Sequence, residues 1–199
     1  MITLTIEQID ILTEFVNIGI GRAAASLNSM INHHIQLHVP KVYLIQKERI
    51  SHHFPEDFQD ISSVNMQFSG EFDGNAVLIF PKESAAKLVS SLTDEPEDSP
   101  AMDELKIGVL NEVGNILING VMGTISNMLQ ATLNYSVSDY IEGDLDKLLD
   151  IGDQENDSIL IAETIFKIHD LNVKGSVALF FHVTSFEALL QLLDKEIAA

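Results

Sequence analysis

Apolar residues recur at three- and four-residue spacing in two long stretches of the chain, the period of a helix with one buried stripe. In the first stretch the stripe is Ile9, Leu12, Val16, Ile20, Ala23, Leu27, Met30 and Ile31. Thr5 and Gln8 form a capping-box pair, and Glu7 sits near the positive end of the helix dipole, so the pattern predicts a helix over 5–32. A second helix is predicted from about Pro100 to Leu129, with Ser99 as N-cap, Pro100 at the first helical position and Asp103 and Glu104 in the first turn. Shorter runs predict strands at Ile35–Lys47, Val64–Phe72 and Asn75–Phe80, with Asp73-Gly74 as a tight hairpin turn. Further strands follow at Leu133–Glu142, Ile159–Ile168 and Gly175–His182, the last two around a turn at 170–174. Lys82–Leu92 and Ser185–Ala198 read as shorter closing helices. Short turns between consecutive strands favour antiparallel pairing.

The two halves match residue by residue. Glu14 and Asn17 recur as Glu112 and Asn115, an offset of 98, and Ile18, Leu27, Met30, Ile31 and Val39 fall on Ile116, Ile125, Met128, Leu129 and Val137. Beyond the hairpin, Gly74, Ser84, Leu88 and Leu92 fall on Gly175, Ser185, Leu189 and Leu193, an offset of 101. The second copy therefore carries extra residues, and the Asp- and Gly-rich stretch 143–157 is the place for them. The expected fold is α+β: internally duplicated helix–three strands–helix units with an antiparallel sheet covered by two long helices. Pseudo-twofold symmetry and one shared core should make residues 1–199 a single domain, with half-repeats about 5–93 and 99–198 and a solvated acidic linker at 94–98.

Each long helix also carries a polar stripe. At about 100° per residue, Asp10, Glu14, Asn17 and Gly21 lie within roughly 60° of one another, away from the apolar stripe. Their counterparts are Gly108, Glu112, Asn115 and Asn119. An Asn side chain holds a donor and an acceptor and so can orient a water, while a Glu can pair with a partner's lysine. Neither is a strong base or nucleophile, so proximity and orientation would have to supply the rate. An ordinary solvated helix face accounts for one such pair; its repetition in register argues for a function. Gly19 and Gly21, each costing roughly 1 kcal/mol inside a helix, imply close approach by a partner or by the other long helix.

Composition narrows the classes of function. The 199 residues can bury a substantial core, and no run of about eighteen apolar residues suggests a membrane span. No basic segment followed by an apolar stretch opens the chain, and there is no cysteine, so disulfides and thiol chemistry are excluded and a cytoplasmic location is expected. The net charge of −19 argues against binding nucleic acid or anionic membrane and suits a basic partner surface, although it also serves solubility. His33, His34, His38, His52 and His53 cluster, but their spacing fits no metal-ligand template, so no metal site is expected. Neither a Gly-x-Ser-x-Gly elbow nor a phosphate-cradling Gly-x-x-x-x-Gly-Lys loop is present.

The motif residues resemble the CheC/CheX/FliY phosphatases of bacterial chemotaxis. The signature of that family is Asp or Ser, three residues, Glu, two residues, Asn, twenty-two residues, Pro; Asp10, Glu14, Asn17 and Pro40 fit it in full. The stretches Asn17-Ile-Gly-Ile-Gly-Arg-Ala-Ala-Ala and Glu112-Val-Gly-Asn-Ile-Leu resemble the family's two helices. The resemblance implies a hydrolase that removes phosphate from the aspartyl-phosphate of a CheY-like response regulator. By position, Asn17 and Asn115 would orient the attacking water and Glu14 and Glu112 would bind the regulator's lysine, with Asp10 and Pro40 in support. It also implies no cofactor in this chain, since the partner brings the acyl phosphate and the Mg²⁺. The second copy departs from the signature: Gly108 replaces Asp or Ser and Ser138 replaces Pro, which implies a weakened second site. Val16 stands where the family has small residues. With two Glu/Asn pairs and no room for a further C-terminal domain, the chain resembles the stand-alone CheC type, which in some systems also has a CheD-like receptor deamidase as partner. The other reading is a non-catalytic module that sequesters a phosphorylated regulator or joins a flagellar switch; docking alone does not require Asn17 and Asn115.

Overall fold

The computed structural model describes residues 4–30, 35–46, 59–144, 158–168, 171–181 and 183–198. In chain order the elements are α1 (Ile6–Met30), β1 (Ile35–Gln46), β2 (Asp60–Gly70), β3 (Gly74–Pro81), α2 (Lys82–Thr93), α3 (Met102–Met128), β4 (Leu133–Tyr135), β5 (Asp139–Asp144), β6 (Ser158–Ile168), β7 (Leu171–Phe181) and α4 (Val183–Ile197). The capping box that opens α1 is formed: Thr5 N donates to Gln8 Oε1 at 2.9 Å and Gln8 N to Thr5 Oγ1 at 3.1 Å. Gln8 also donates from Nε2 to Asp194 Oδ1 at 2.8 Å, tying α1 to α4. The second long helix starts later than its pattern predicts. Ser99 Oγ accepts from Ala101 N at 3.2 Å and Ser99 O from Met102 N at 3.0 Å, so Ser99 closes a turn ahead of the helix and Ala101 takes the cap position. Residues 31–34, 47–58, 145–157, 169–170 and 182 fall outside the described residues, and with them Ile31, His33, His34, His52, His53 and the stretch expected to hold the second copy's extra length.

The seven described strands join one sheet in the order β1-β6-β7-β3-β2-β4, with β5 also pairing β2, and their pairings are antiparallel. The halves exchange their first strands. β1 lies against β6 of the second half, while β4 and β5 lie against β2 of the first. At the centre β3 pairs β7 with Val77 opposite Ala178, the residue it matches at an offset of 101. The predicted strand Leu133–Glu142 is two strands. Its ladder breaks between Tyr135, opposite Phe68, and Asp139, opposite Asn65, so four steps on one strand face three on the other. β1 shows the same slip, from Leu37 opposite Phe166 to Lys41 opposite Glu163, across a segment that contains Pro40. Proline has no N–H for a ladder, which suits it to a bulge.

The helices cover one face of this sheet. Buried residues of the four described helices pack with Val64, Met66, Phe68, Leu78, Phe80, Leu160, Leu179 and Phe181 from the strands. The opposite face carries a smaller buried cluster: Ile61, Val77, Ile79, Ile159, Ile161, Ala178 and Phe180. α1 and α3 cross at backbone contact, where a Cβ on Gly19 would lie 2.6 Å from Val121 Cα and 2.7 Å from Gly120 O. Thr124 Oγ1, bonded to Gly120 O, accepts from Arg22 Nη1 at 3.3 Å beside the crossing. One member of the predicted buried stripe is misplaced: Ile9 is 38 % exposed, while Gln8 in the same turn is the buried residue, bonded to α4. The two glycines of α1 separate cleanly, since a Cβ on Gly21 would meet nothing within 4 Å. Gly19→Ala should therefore destabilise by about 1–3 kcal/mol through overpacking against backbone. Gly21→Ala should stabilise by up to about 1 kcal/mol through helix propensity. Urea unfolding of the two variants checks both signs.

Candidate functional site

The burial of each helix decides where its Glu/Asn pair points. On α1, Leu12, Phe15, Val16, Ile20 and Ala23 are buried, which turns Asp10, Glu14, Asn17 and Gly21 outward; all four are exposed. On α3, Leu110, Val113, Leu117 and Ile118 are buried, and Gly108, Glu112 and Asn119 are exposed, with Asn115 half-buried. Gly114, between Glu112 and Asn115, is pressed onto β2: a Cβ there would lie 2.5 Å from Val64 Cγ1. That contact fixes the rotation of α3 under its polar pair. Its counterpart Val16, the residue that departs from the family pattern, is 1 % exposed and serves as core on α1.

The strand bulges bring a further residue to the second pair. Pro40 lies within β1, at the bulge. At the matching place before β5, Ser138 Oγ donates to Asn111 Oδ1 at 3.4 Å, and Asn111 immediately precedes Glu112 on α3. The second bulge is thus fastened to the helical turn that carries Glu112. Asn111 escaped the motif reading because it matches Thr13, so nothing in the repeat marks it.

A polar cluster anchors β5 beside that turn. Lys82 Nζ, on the first residue of α2, pairs with Glu142 Oε1 at 2.8 Å. The Tyr140 hydroxyl lies 3.2 Å from both Ser62 Oγ and Glu142 Oε2, donating to the Glu142 carboxylate and able to accept from Ser62. Burial pushes Tyr140 up to about 12. The hydrogen bond from Lys82 holds the Glu142 carboxyl below its ordinary value against the opposing effect of burial, and the same bond raises Lys82. Among the described residues no group of three His, Asp or Glu side chains is placed to hold a metal ion, and no helix is long and apolar enough to cross a membrane. A cavity of about 480 Å³ opens at the β2–β3 turn beside β4, lined by residues including Gln67, Asp73, Asn75 and Tyr135, and includes none of the stripe residues.

Comparison with known proteins bears on this arrangement. No family model matches the chain. It is 24 % identical over 203 residues to the CheY-P phosphatase CheC of Bacillus subtilis, covering 96 % of each chain. The family it resembles is that of the CheC/FliY-type chemotaxis phosphatases. The structure of Thermotoga maritima FliY superposes with a TM-score of 0.78 at 19 % identity, over 98 % of this chain and all of that one. A chain of the CheX–CheY–BeF₃–Mg²⁺ complex from Borrelia burgdorferi gives a TM-score of 0.55 at 17 % identity, over 84 % of this chain and 98 % of that one. These two likenesses establish the shared mixed α/β fold. On this fold Glu14, Asn17 and Glu112 lie exposed on the long helices, with Asn115 half-buried beside Glu112.

The Lys82–Glu142 bond makes β5 sensitive to pH. Glu142 is depressed in the folded state, so its contribution is present above the ordinary carboxylate range and fades as pH falls through the folded value. Lys82 is raised, so its contribution holds below the ordinary ammonium range and fades as pH rises through the folded value. Glu142→Gln should flatten the acid limb of the stability profile relative to the unsubstituted protein, which denaturant melts between neutral and acid pH would show.

Proposed function

We propose that the chain is a phosphatase for the aspartyl-phosphate of a CheY-like response regulator, with Glu14/Asn17 as its stronger site and Glu112/Asn115 as its weaker one. The observation that carries the reading is a Glu and an Asn one turn apart at matching places on both long helices, fully exposed on α1 and with the Asn half-buried on α3. The relative CheC of Bacillus subtilis is named for activity on CheY-P, which supports the same substrate here. Strand exchange and the paired bulges support an internal duplication with pseudo-twofold symmetry, in which the two sites descend from one.

The chemistry asked of the chain is small. An acyl phosphate on the partner already carries a good leaving group, and the partner's own Mg²⁺ neutralises the phosphoryl oxygens. What remains is to place a water in line with phosphorus. The Asn17 amide accepts one hydrogen of that water or donates to its oxygen, holding it in one orientation as the water-positioning Gln of a GTPase does. Glu14 pairs with the lysine of the regulator's phosphorylation site and fixes the register of docking. The water attacks phosphorus, the bond to the aspartyl oxygen breaks, and inorganic phosphate leaves with the carboxylate regenerated on the partner. Asp10 and the Pro40 bulge support the first site from the flank; in the second, Gly108 supplies no carboxylate and Ser138 takes the place of Pro40 by bonding to Asn111. A cytoplasmic place of action follows from the substrate.

Asn17→Ala should lower turnover by roughly 10²-fold at its own site, as expected for lost positioning. Asn115→Ala should lower total activity less, and the double variant should have none. Asn17→Ala should not change stability by more than about 0.5 kcal/mol, because Asn17 lies exposed on the outer helix surface. Following phosphate loss from phosphorylated regulator with each variant checks the order; equal losses from the two single variants would remove the ranking of the sites. Glu14→Gln should raise the regulator concentration needed for half-maximal turnover, and more so at low salt, where the charge pair is least screened.

A further inference from the structure

The polar pairs have an apolar companion that repeats with them. Ile9 is 38 % exposed and Ile107 47 % exposed, and they occupy matching positions, 98 residues apart, each five residues before the Glu of its pair. A single exposed isoleucine on a helix is ordinary. Two at the same place of a repeat, both left out of the core while Leu12 and Leu110 three residues on are fully buried, are a feature of the face. On α1 a second one joins: Ile6, 79 % exposed, lies within about 20° of Asn17 around the helix axis. Its counterpart on α3 is the exposed acid Glu104, so the first patch is the larger.

We infer that Ile9 with Ile6, and Ile107 on the second helix, are the apolar contacts on which a phosphorylated receiver seats when its acyl phosphate reaches Asn17 or Asn115. The inference rests on the phosphatase reading above and adds the specificity-determining contact to it. Ile9 stands about 12 Å along the helix from Asn17, inside the footprint of an interface of about 800 Å² per partner. Exposed Glu7 and Asp10 border the first patch on the side of Ile6, and exposed Asp103 and Glu104 border the second. The complementary surface is therefore an apolar recess with basic residues beside it, next to the lysine and phosphoryl group that the Glu and Asn address. Apolar burial holds the complex, and the charges set its orientation.

The test uses a CheY-like regulator of the same organism, loaded with beryllofluoride and Mg²⁺ as a stable mimic of the acyl phosphate, and calorimetry on the full chain. Ile9→Ser with Ile107→Ser should weaken binding by about tenfold. The methionine pair at the same positions should bind as the unsubstituted chain does, which separates lost contact from lost fold. With phosphorylated regulator the serine pair should raise KM rather than lower kcat, whereas Asn17→Ala with Asn115→Ala should bind the mimic normally and lose turnover. Ile9→Ser alone should cost more affinity than Ile107→Ser alone, since it dismantles the larger patch. Unchanged affinity in the serine pair would overturn the inference and leave the phosphatase reading standing. Binding that depends on the isoleucines without any turnover would overturn the phosphatase reading and keep the docking surface. A regulator that the unsubstituted chain does not bind at all would overturn both.

Discussion

The backbone contact between α1 and α3 is the constraint on which the arrangement depends. At Gly19 and Gly120 the two helices come together more closely than any side chain allows. Such a crossing commits one side of each helix to the other helix and to the sheet, and leaves the far side to solvent. Glu14 and Asn17 lie on that far side of α1, and Glu112 and Asn115 on that of α3. The two pairs are thereby carried on helices that meet backbone to backbone. Rigid helices are suited to a task that consists mainly of placing a water, since a placement error near 1 Å is costly.

The sheet contributes through its exchanged strands. Because β1 pairs with β6, and β4 and β5 with β2, neither half has a complete sheet without the other. Each exchanged strand slips by one residue, and in the second half the slip leaves Ser138 against Asn111. A proline twenty-three residues after an asparagine has no obvious bearing on a site in the sequence alone. In the fold, Pro40 sits at the bulge, and the matching bulge touches the helical turn that carries the acid. The spacing in the motif is the length of chain needed to finish the helix and return along the sheet.

Most of the fold was legible because its elements are long and their periods unambiguous. The capping box at Thr5 and Gln8 and the strand opening at Ile35 lie where the pattern of residues puts them, whereas the turn expected at Asp73-Gly74 falls at 71–73, with Gly74 already paired to Phe68. The readings that moved did so for local reasons. Ser99 has the chemistry of a cap, but its oxygens are consumed by a turn, and the helix begins beyond it. Leu133–Glu142 alternates like one strand, yet a bulge is invisible to alternation because it adds a residue without changing the chemistry on either side. Ile9 fits the apolar period of α1, yet the turn that carries it packs on α4 through Gln8 instead. The polar stripe was legible through repetition; Asn111 was not, since its role comes from a contact across 27 residues of chain that the repeat does not preserve.

The central claim is that two outward Glu/Asn pairs make this chain a catalyst. Its most direct measurement is phosphate release over time from an excess of phosphorylated CheY-like regulator, with the chain present at a small fraction of the regulator concentration. The account predicts many phosphates released per chain, at a rate proportional to chain concentration and well above spontaneous decay. Decay at the spontaneous rate, or slowed in proportion to the chain added, would contradict it and leave a protein that holds the phosphorylated regulator without acting on it.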